Sequence, residues 1–128
     1  MNHRAKGFTI VEVMVVVAIL SILAMIAVPT YTNYVTTARQ AAARGNIEPL
    51  RLAIEDYRLD NMATGYAPLN NLVWEPSGSK TLTAALGGWE PDGDQDSYNY
   101  SVTSATATGY TITVTPIGHT SDAQTFVK

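Results

Sequence analysis

Three patterns in this 128-residue chain predict an α+β fold, in which a long bent N-terminal α-helix with a transmembrane first half packs on a small antiparallel β-sheet. An apolar run whose one charge is Glu12 extends from Phe8 to Val28 and stops at Pro29. Ile47, Leu50, Ile54 and Tyr57 then recur three or four positions apart, as one stripe of an amphipathic helix does. Finally, Tyr98, Tyr100 and Val102, then Tyr110, Ile112 and Val114, alternate with Asn, Ser and Thr, which is the period of half-buried strands. One helix laid over the apolar face of an antiparallel sheet buries both.

Taken in chain order, residues 1–7 form a short basic stretch, Met1-Asn2-His3-Arg4-Ala5-Lys6-Gly7. The run 8–29 has the ~20 residues a bilayer span needs. Arg4 and Lys6 in front of it put the N-terminus on the cytoplasmic side and the remainder across the membrane. A secretory signal would be cut behind the run, where Ala24 and Ala27 offer small residues, but the length favours a retained single span. Residues 30–60 are the amphipathic second half of the helix, with Glu48, Arg51, Glu55 and Arg58 spaced for ion pairs one turn apart. Pro29 and Pro49 are expected to bend it, because each removes a backbone donor and crowds the preceding turn. Gly45 lowers helix propensity between them.

Residues 61–97 are punctuated by Gly65, Pro68, Asn70-Asn71, Pro76-Ser77-Gly78-Ser79, Gly87-Gly88 and Pro91-Asp92-Gly93, and read as an irregular loop with a helical turn near Thr81 to Leu86. Trp74 and Trp89 are expected to anchor that loop to the helix. Residues 98–128 hold the sheet and the C-terminal region, with 104–109 as a hairpin connection and Phe126-Val127 as a third short strand.

Composition narrows the function. The chain has room for one compact domain. Without cysteine there is neither a disulfide nor a thiolate metal site. The formal charge of −3 is unevenly placed: from Leu59 onward the cations are Lys80 and Lys128, against Asp60, Glu75, Glu90, Asp92, Asp94, Asp96 and Asp122. Direct electrostatic binding of nucleic acid needs clustered Lys and Arg, so that layout argues against it. No glycine-framed nucleophile or acid/base constellation is present, so the chain is not expected to be an enzyme.

The most informative single residue is Glu12. A carboxylate inside a membrane-length apolar run is costly, by roughly 2.5 kcal/mol or more near the bilayer centre, and marks a functional residue that needs a partner. Cleavage between Gly7 and Phe8 would create one, the new α-amine of Phe8.

The run Lys6-Gly7-Phe8-Thr9-Ile10-Val11-Glu12-Val13-Met14-Val15-Val16-Val17-Ala18-Ile19-Leu20 resembles the leader and hydrophobic segment of type IV pilins and type II secretion pseudopilins. More loosely, the resemblance extends through Pro29-Thr30-Tyr31-Thr32-Asn33-Tyr34, Leu59-Asp60-Asn61 and Gly65-Tyr66-Ala67-Pro68. It implies that a prepilin peptidase cuts after Gly7 and methylates Phe8, and that Phe8 and Glu12 of neighbouring copies pair during subunit assembly. It further implies a single-pass inner-membrane protein that passes through an assembly platform into an extracellular filament, among copies of itself and other pilins. The function so implied is a structural subunit of a type IV pilus serving adhesion, twitching motility or DNA uptake. A type II secretion pseudopilin and a minor pilin are the alternatives. Many relatives close the C-terminal region with a disulfide; here the last strand must be held by hydrogen bonds and packing.

No cofactor is expected. Asp92, Asp94 and Asp96 alternate as in an oxygen-rich calcium loop, but Ser97 stands where the turn glycine belongs and Thr103 where the bidentate glutamate belongs. A solvated acidic turn is the plainer reading, although pseudopilins resembling this chain commonly bind calcium in this region. His3 falls in the leader, and His119 reads as a surface-loop residue. Asn99-Tyr100-Ser101 fits the glycosylation sequon inside a predicted strand.

Overall fold

The computed structural model describes residues 7–93, 95–119 and 121–128. The chain forms two compact units, one running to Val35 and the other spanning Thr36–Lys128. Helix α1, Ile10–Gly45, begins in the first and ends in the second.

The first unit is helix without a core. Its large apolar side chains from Phe8 to Val28 are all exposed, from 52% at Val13 to 89% at Phe8. Such a helix, apolar on every side, suits lipid or the company of other helices. It is long and apolar enough to cross a membrane. Helical structure continues through Pro29. Around it, hydroxyls of Ser21, Thr30 and Thr32 donate to the carbonyls of Val17 (2.7 Å), Ile26 (3.0 Å) and Pro29 (2.9 Å). The carbonyl whose helical donor Pro29 removes is that of Met25, which none of these three hydroxyls bonds.

Within the second unit the helix is interrupted at Asn46, and α2 runs from Ile47 to Asp60. Pro49 lies in the first turn of α2, where backbone amides have no helical acceptor in any case, so its missing N–H costs no helical bond. The amide of Leu50 makes the 3.1 Å bond back to the Asn46 carbonyl. The expected stripe is the buried one: Ile47, Leu50 and Ile54 are inside, and Tyr57 packs at the margin.

A 3-10 turn at Ala67–Leu69 leads into strand β1, Leu72–Trp74; α3 follows at Thr81–Ala85, then β2 at Tyr98–Thr103, β3 at Thr111–Pro116 and β4 at Gln124–Val127. All pairs are antiparallel, in the order β1-β2-β3-β4. Tyr100 faces Val114 and Val102 faces Ile112 across β2 and β3, which puts these four buried side chains on one face. That face meets the α2 stripe in a single core with Trp74, Tyr66, Leu69 and Leu82.

The segment 61–97 departs from the irregular loop expected of it, since β1 adds a fourth strand. The three residues of β1, which follow Asn71 at φ +63°, are too few to display a period. Thr81 closes the outer edge of β1: its hydroxyl accepts from the Val73 amide (2.9 Å) and donates to the Val73 carbonyl (3.1 Å). Both tryptophans make their ring contacts with Tyr100 of the sheet, at centroid separations of 6.0 Å for Trp74 and 5.6 Å for Trp89. Gly65 lies where this loop comes close to the hairpin backbone at Ala107. At φ +61° it lies in the left-handed region, and a Cβ there would sit 2.1 Å from the carbonyl oxygen of Ala107.

Candidate assembly site

Gly7, Phe8 and Thr9 precede the first turn of α1, and Phe8 is almost fully exposed. Thr9 occupies the N-cap position and Glu12 the third helical one. The Thr9 amide donates to Glu12 Oε2 at 2.9 Å, the Thr9 hydroxyl donates to the same oxygen at 3.0 Å, and the Glu12 amide donates to Thr9 Oγ1 at 3.2 Å. This is a reciprocal capping box, in which two amides without helical partners are satisfied by each other's side chains. The carboxylate also lies at the positive end of the helix dipole. Thr9 was absent from the sequence-based site, although Thr-x-x-Glu ahead of an apolar run is the signature that would have found it.

The acidic turn is held from the helix side. Asn46, buried at the α1–α2 break, accepts from the Asp92 amide (2.8 Å), and its amide group donates to the Asp92 carbonyl (3.0 Å) and to the Tyr100 hydroxyl (3.0 Å). Asp92 turns its carboxylate onto the Gly93 amide at 2.8 Å. Asp96 is exposed, and Asp94 lies outside the described residues. Among the described residues no three acidic, imidazole or thiol groups converge to hold a metal. His119 stacks edge-on against Tyr98 at 4.9 Å, and Asn99 is half-buried in β2.

The end of the described chain has its own polar anchor. The Lys128 ammonium donates to Glu55 Oε1 of α2 and, at 2.9 Å, to the Tyr66 hydroxyl, which itself donates to Glu55 at 2.9 Å. The Lys128 amide bonds the Tyr110 carbonyl at 3.0 Å. Arg58 stands 3.8 Å from the second Glu55 oxygen and 5.4 Å above the Tyr66 ring. Burial works to raise the Glu55 pKa, but hydrogen bonds from Lys128 and Tyr66, with the charges of Lys128 and Arg58, win and hold it below its ordinary value. The hydrogen bond to Glu55, then that to Tyr66, raises the pKa of Lys128. Tyr110 is raised by burial first and by the Glu55 charge second. β4 is thus held by pairing with β3 and by an ion pair to α2 that the sequence pattern did not reveal.

Residues 29–125 match the profile of the family described as "Type IV minor pilin ComP, DNA uptake sequence receptor". Residues 2–28 match the prokaryotic N-terminal methylation motif. The chain is similar to type II secretion system core protein G of Pseudomonas aeruginosa, 38% identical over 80 residues, covering 61% of this chain and 56% of that protein. It is similar to type IV major fimbrial protein FimA of Dichelobacter nodosus, 42% identical over 65 residues, covering 51% of this chain and 42% of the relative. A fimbrial protein of Neisseria meningitidis is 39% identical over 71 residues, covering 56% and 40%. The chain therefore spans about half or less of the length of these relatives. No solved structure matches it.

Proposed function

The chain belongs to the type IV minor pilin ComP family, and from that premise we propose that it polymerises, after cleavage at Gly7–Phe8, into a type IV pilus as one of its subunits. The observation that carries this reading is the uncovered α1 segment, where every large apolar side chain from Phe8 to Val28 is at least half exposed. Burying such a side chain fully is worth about 1.5–3 kcal/mol relative to water, which takes the segment into lipid and keeps it buried among other copies once a filament stands in water; within lipid, helix association rests on packing. Within lipid, Glu12 is the one charge on this segment, and the Phe8 amine of a neighbouring copy is its partner in register. We read the protein as single-pass in the inner membrane before assembly and extracellular afterwards, reached through prepilin peptidase and an assembly platform.

Intact mass and N-terminal sequencing of sheared surface filaments test this. The expected chain begins at N-methyl-Phe8; a chain beginning at Met1, or absent from filaments, overturns the proposal. Presence of processed chain only in the envelope would favour the pseudopilin role, which the similarity to core protein G supports.

The family description favours a second reading, a DNA receptor within the same filament. Charge speaks against it. Arg44 is held by Gln124, Arg51 by Glu48, Arg58 by Glu55, Lys80 by Glu90 and Lys128 by Glu55, and Arg39 is engaged as well. A duplex would have to displace these partners. Binding of duplex DNA to detergent-solubilised protein, weakening steeply with salt, would establish the receptor reading. We read the acidic turn around Asp92 as solvated, without calcium.

A further inference from the structure

The face of the sheet turned away from α2 is built from hydroxyls. Side chains alternate along a strand, so the residues between the buried Tyr100, Val102, Ile112 and Val114 share the opposite face. In the paired register Ser101, Thr113 and Thr125 make one row across β2, β3 and β4, and Thr103 and Thr111 make the next. Asn99 faces Thr115 in a third. Such rows repeat about 4.8 Å from strand to strand and roughly 6.8 Å along each strand. None of these side chains is charged. The five threonine hydroxyls and the Asn99 amide have no hydrogen-bond partner among the described residues. Elsewhere in the same unit the hydroxyls of Thr64, Thr81 and Thr106 bond the backbone. Val73 ends the first row at β1 and Val127 ends the second at β4, both apolar. Beside Asn99 a cleft of about 530 Å³ opens, where Glu75 and Asp96 place carboxylates next to Pro76 and Ile117.

We propose that this face docks an uncharged polysaccharide, laid across β2, β3 and β4 with one end in the cleft at Asn99. A threonine hydroxyl both donates and accepts, so it pairs with a sugar hydroxyl in either sense and needs no charge to do so. A sugar ring carries hydroxyls at its rim and C–H groups on its faces, the same mixture as these rows with valine at their ends. Charge sets the class of partner. A polyanion would meet the carboxylates of Glu75 and Asp96 at the border of the face, and the rows hold no Lys or Arg to receive it. A polycation would find no acid within the rows. Carboxylates do accept from sugar hydroxyls, so the cleft suits a neutral chain. Each such bond is exchanged against water and contributes little net, so one face binds weakly. Faces repeated along a filament would raise the avidity without any new contact, and that gain alone rests on the filament reading above.

The test is retention of detergent-solubilised full-length protein, in a detergent without a sugar headgroup, on microcrystalline cellulose and on cross-linked dextran. Immobilised polygalacturonate is the charged counterpart. Thr113→Val keeps the shape of threonine and removes a hydroxyl at the centre of the face. Thr108→Ala removes an exposed hydroxyl from the hairpin connection, off the sheet. Wild type is expected to be retained on a neutral matrix, equally at low and high salt, and less on polygalacturonate. Thr113→Val is expected to raise the apparent Kd roughly two- to tenfold, the range of one lost neutral hydrogen bond, and Thr108→Ala to leave it unchanged. Thermal melting by near-ultraviolet circular dichroism checks that the variants fold, and Ser101→Ala probes the same row should Thr113→Val melt early. Absence of retention on both neutral matrices overturns the proposal. So does retention that salt abolishes, or an equal effect of Thr113→Val and Thr108→Ala. A dimer seen by sedimentation, lost in Thr113→Val and without polysaccharide retention, assigns the face to a second copy and also overturns it. Because the protein is unassembled here, its absence from filaments would overturn the filament reading and leave this result standing.

Discussion

Replacing Lys128 by methionine removes its charge while keeping most of its stem, and so tests what the ion pair contributes to holding β4. Lys128 and Glu55 are about two-fifths and one-third exposed. At such exposure solvent screens the pair, and the appropriate scale is that of a surface ion pair, about 0.2–1 kcal/mol. Glu55 would still accept from Tyr66 and face Arg58, so the loss for Lys128→Met is about 1 kcal/mol at most. Glu55→Leu should cost more, about 1.5–3 kcal/mol, because it also strips the acceptor from Tyr66, a fully buried residue. For a folded unit of this size, ~1 kcal/mol moves the melting temperature by roughly 4–8 °C. The pH dependence has a definite sign. Glu55 is depressed on folding, so its contribution is present above its ordinary value of 4.5 and disappears as pH falls through the folded value. Lys128 is raised, so its contribution is present below its ordinary value of 10.5 and disappears as pH rises through the folded value. The assay is thermal melting of detergent-solubilised full-length protein, followed by near-ultraviolet circular dichroism across pH and salt. Equal melting temperatures for wild type and Lys128→Met at pH 7 and low salt would refute the reasoning, as would a larger effect for Lys128→Met than for Glu55→Leu.

Gly65→Ala should destabilise by at least ~1–2 kcal/mol, from the left-handed backbone alone, and by more because the Ala107 carbonyl blocks the new Cβ; a melt of the same preparation reads it. Asn46→Ala should cost about 1–3 kcal/mol by leaving the Asp92 amide without its side-chain acceptor and by removing a donor to Tyr100, and should raise hydrogen exchange in residues 91–93. Calcium addition followed by chelation should leave the melting temperature where it was, and a chelator-reversible rise would establish a metal site at the acidic turn. Amides of β4, which pairs with β3 alone, should exchange through a smaller opening than those of β2, which pairs on both sides; equal protection would contradict the idea of a separately anchored last strand.

What could be read from sequence divides by the range of the interaction. The α2 stripe and the alternation in β2 and β3 are local periods, and the buried residues Ile47, Leu50 and Ile54, with Tyr100, Val102, Ile112 and Val114, are the ones those periods named. β1 has three residues and exists through its partners Ser101 and Tyr100, so no window of sequence contained it. Pro49 reads as a bend from sequence; its place in a first turn follows from the helix restarting after Asn46, whose side chain bonds a loop 46 residues away. Gly7, Phe8 and Glu12 were legible as a motif. The Thr9 box is equally local, written as Thr-x-x-Glu ahead of an apolar run.

The anchoring of β4 differs in kind from a disulfide, which this cysteine-free chain cannot form. A disulfide acts largely on the unfolded chain, whose entropy it lowers, typically by an amount worth ~2–4 kcal/mol, and salt or mild pH changes do not touch it. The Glu55–Lys128–Tyr66 contact acts only in the folded state, since nothing links residues 73 positions apart once the chain unfolds. Its strength therefore follows ionic strength and the protonation of two groups. It also cannot keep β4 attached when the strand separates from β3, because Lys128 continues directly from that strand and its backbone amide bonds Tyr110 of the adjoining one. Pairing and ion pair stand or fall together. Loss of the ion pair should then speed the opening of β4 more than it slows the folding of the core formed by α2, β2 and β3, whose buried side chains Lys128 does not join.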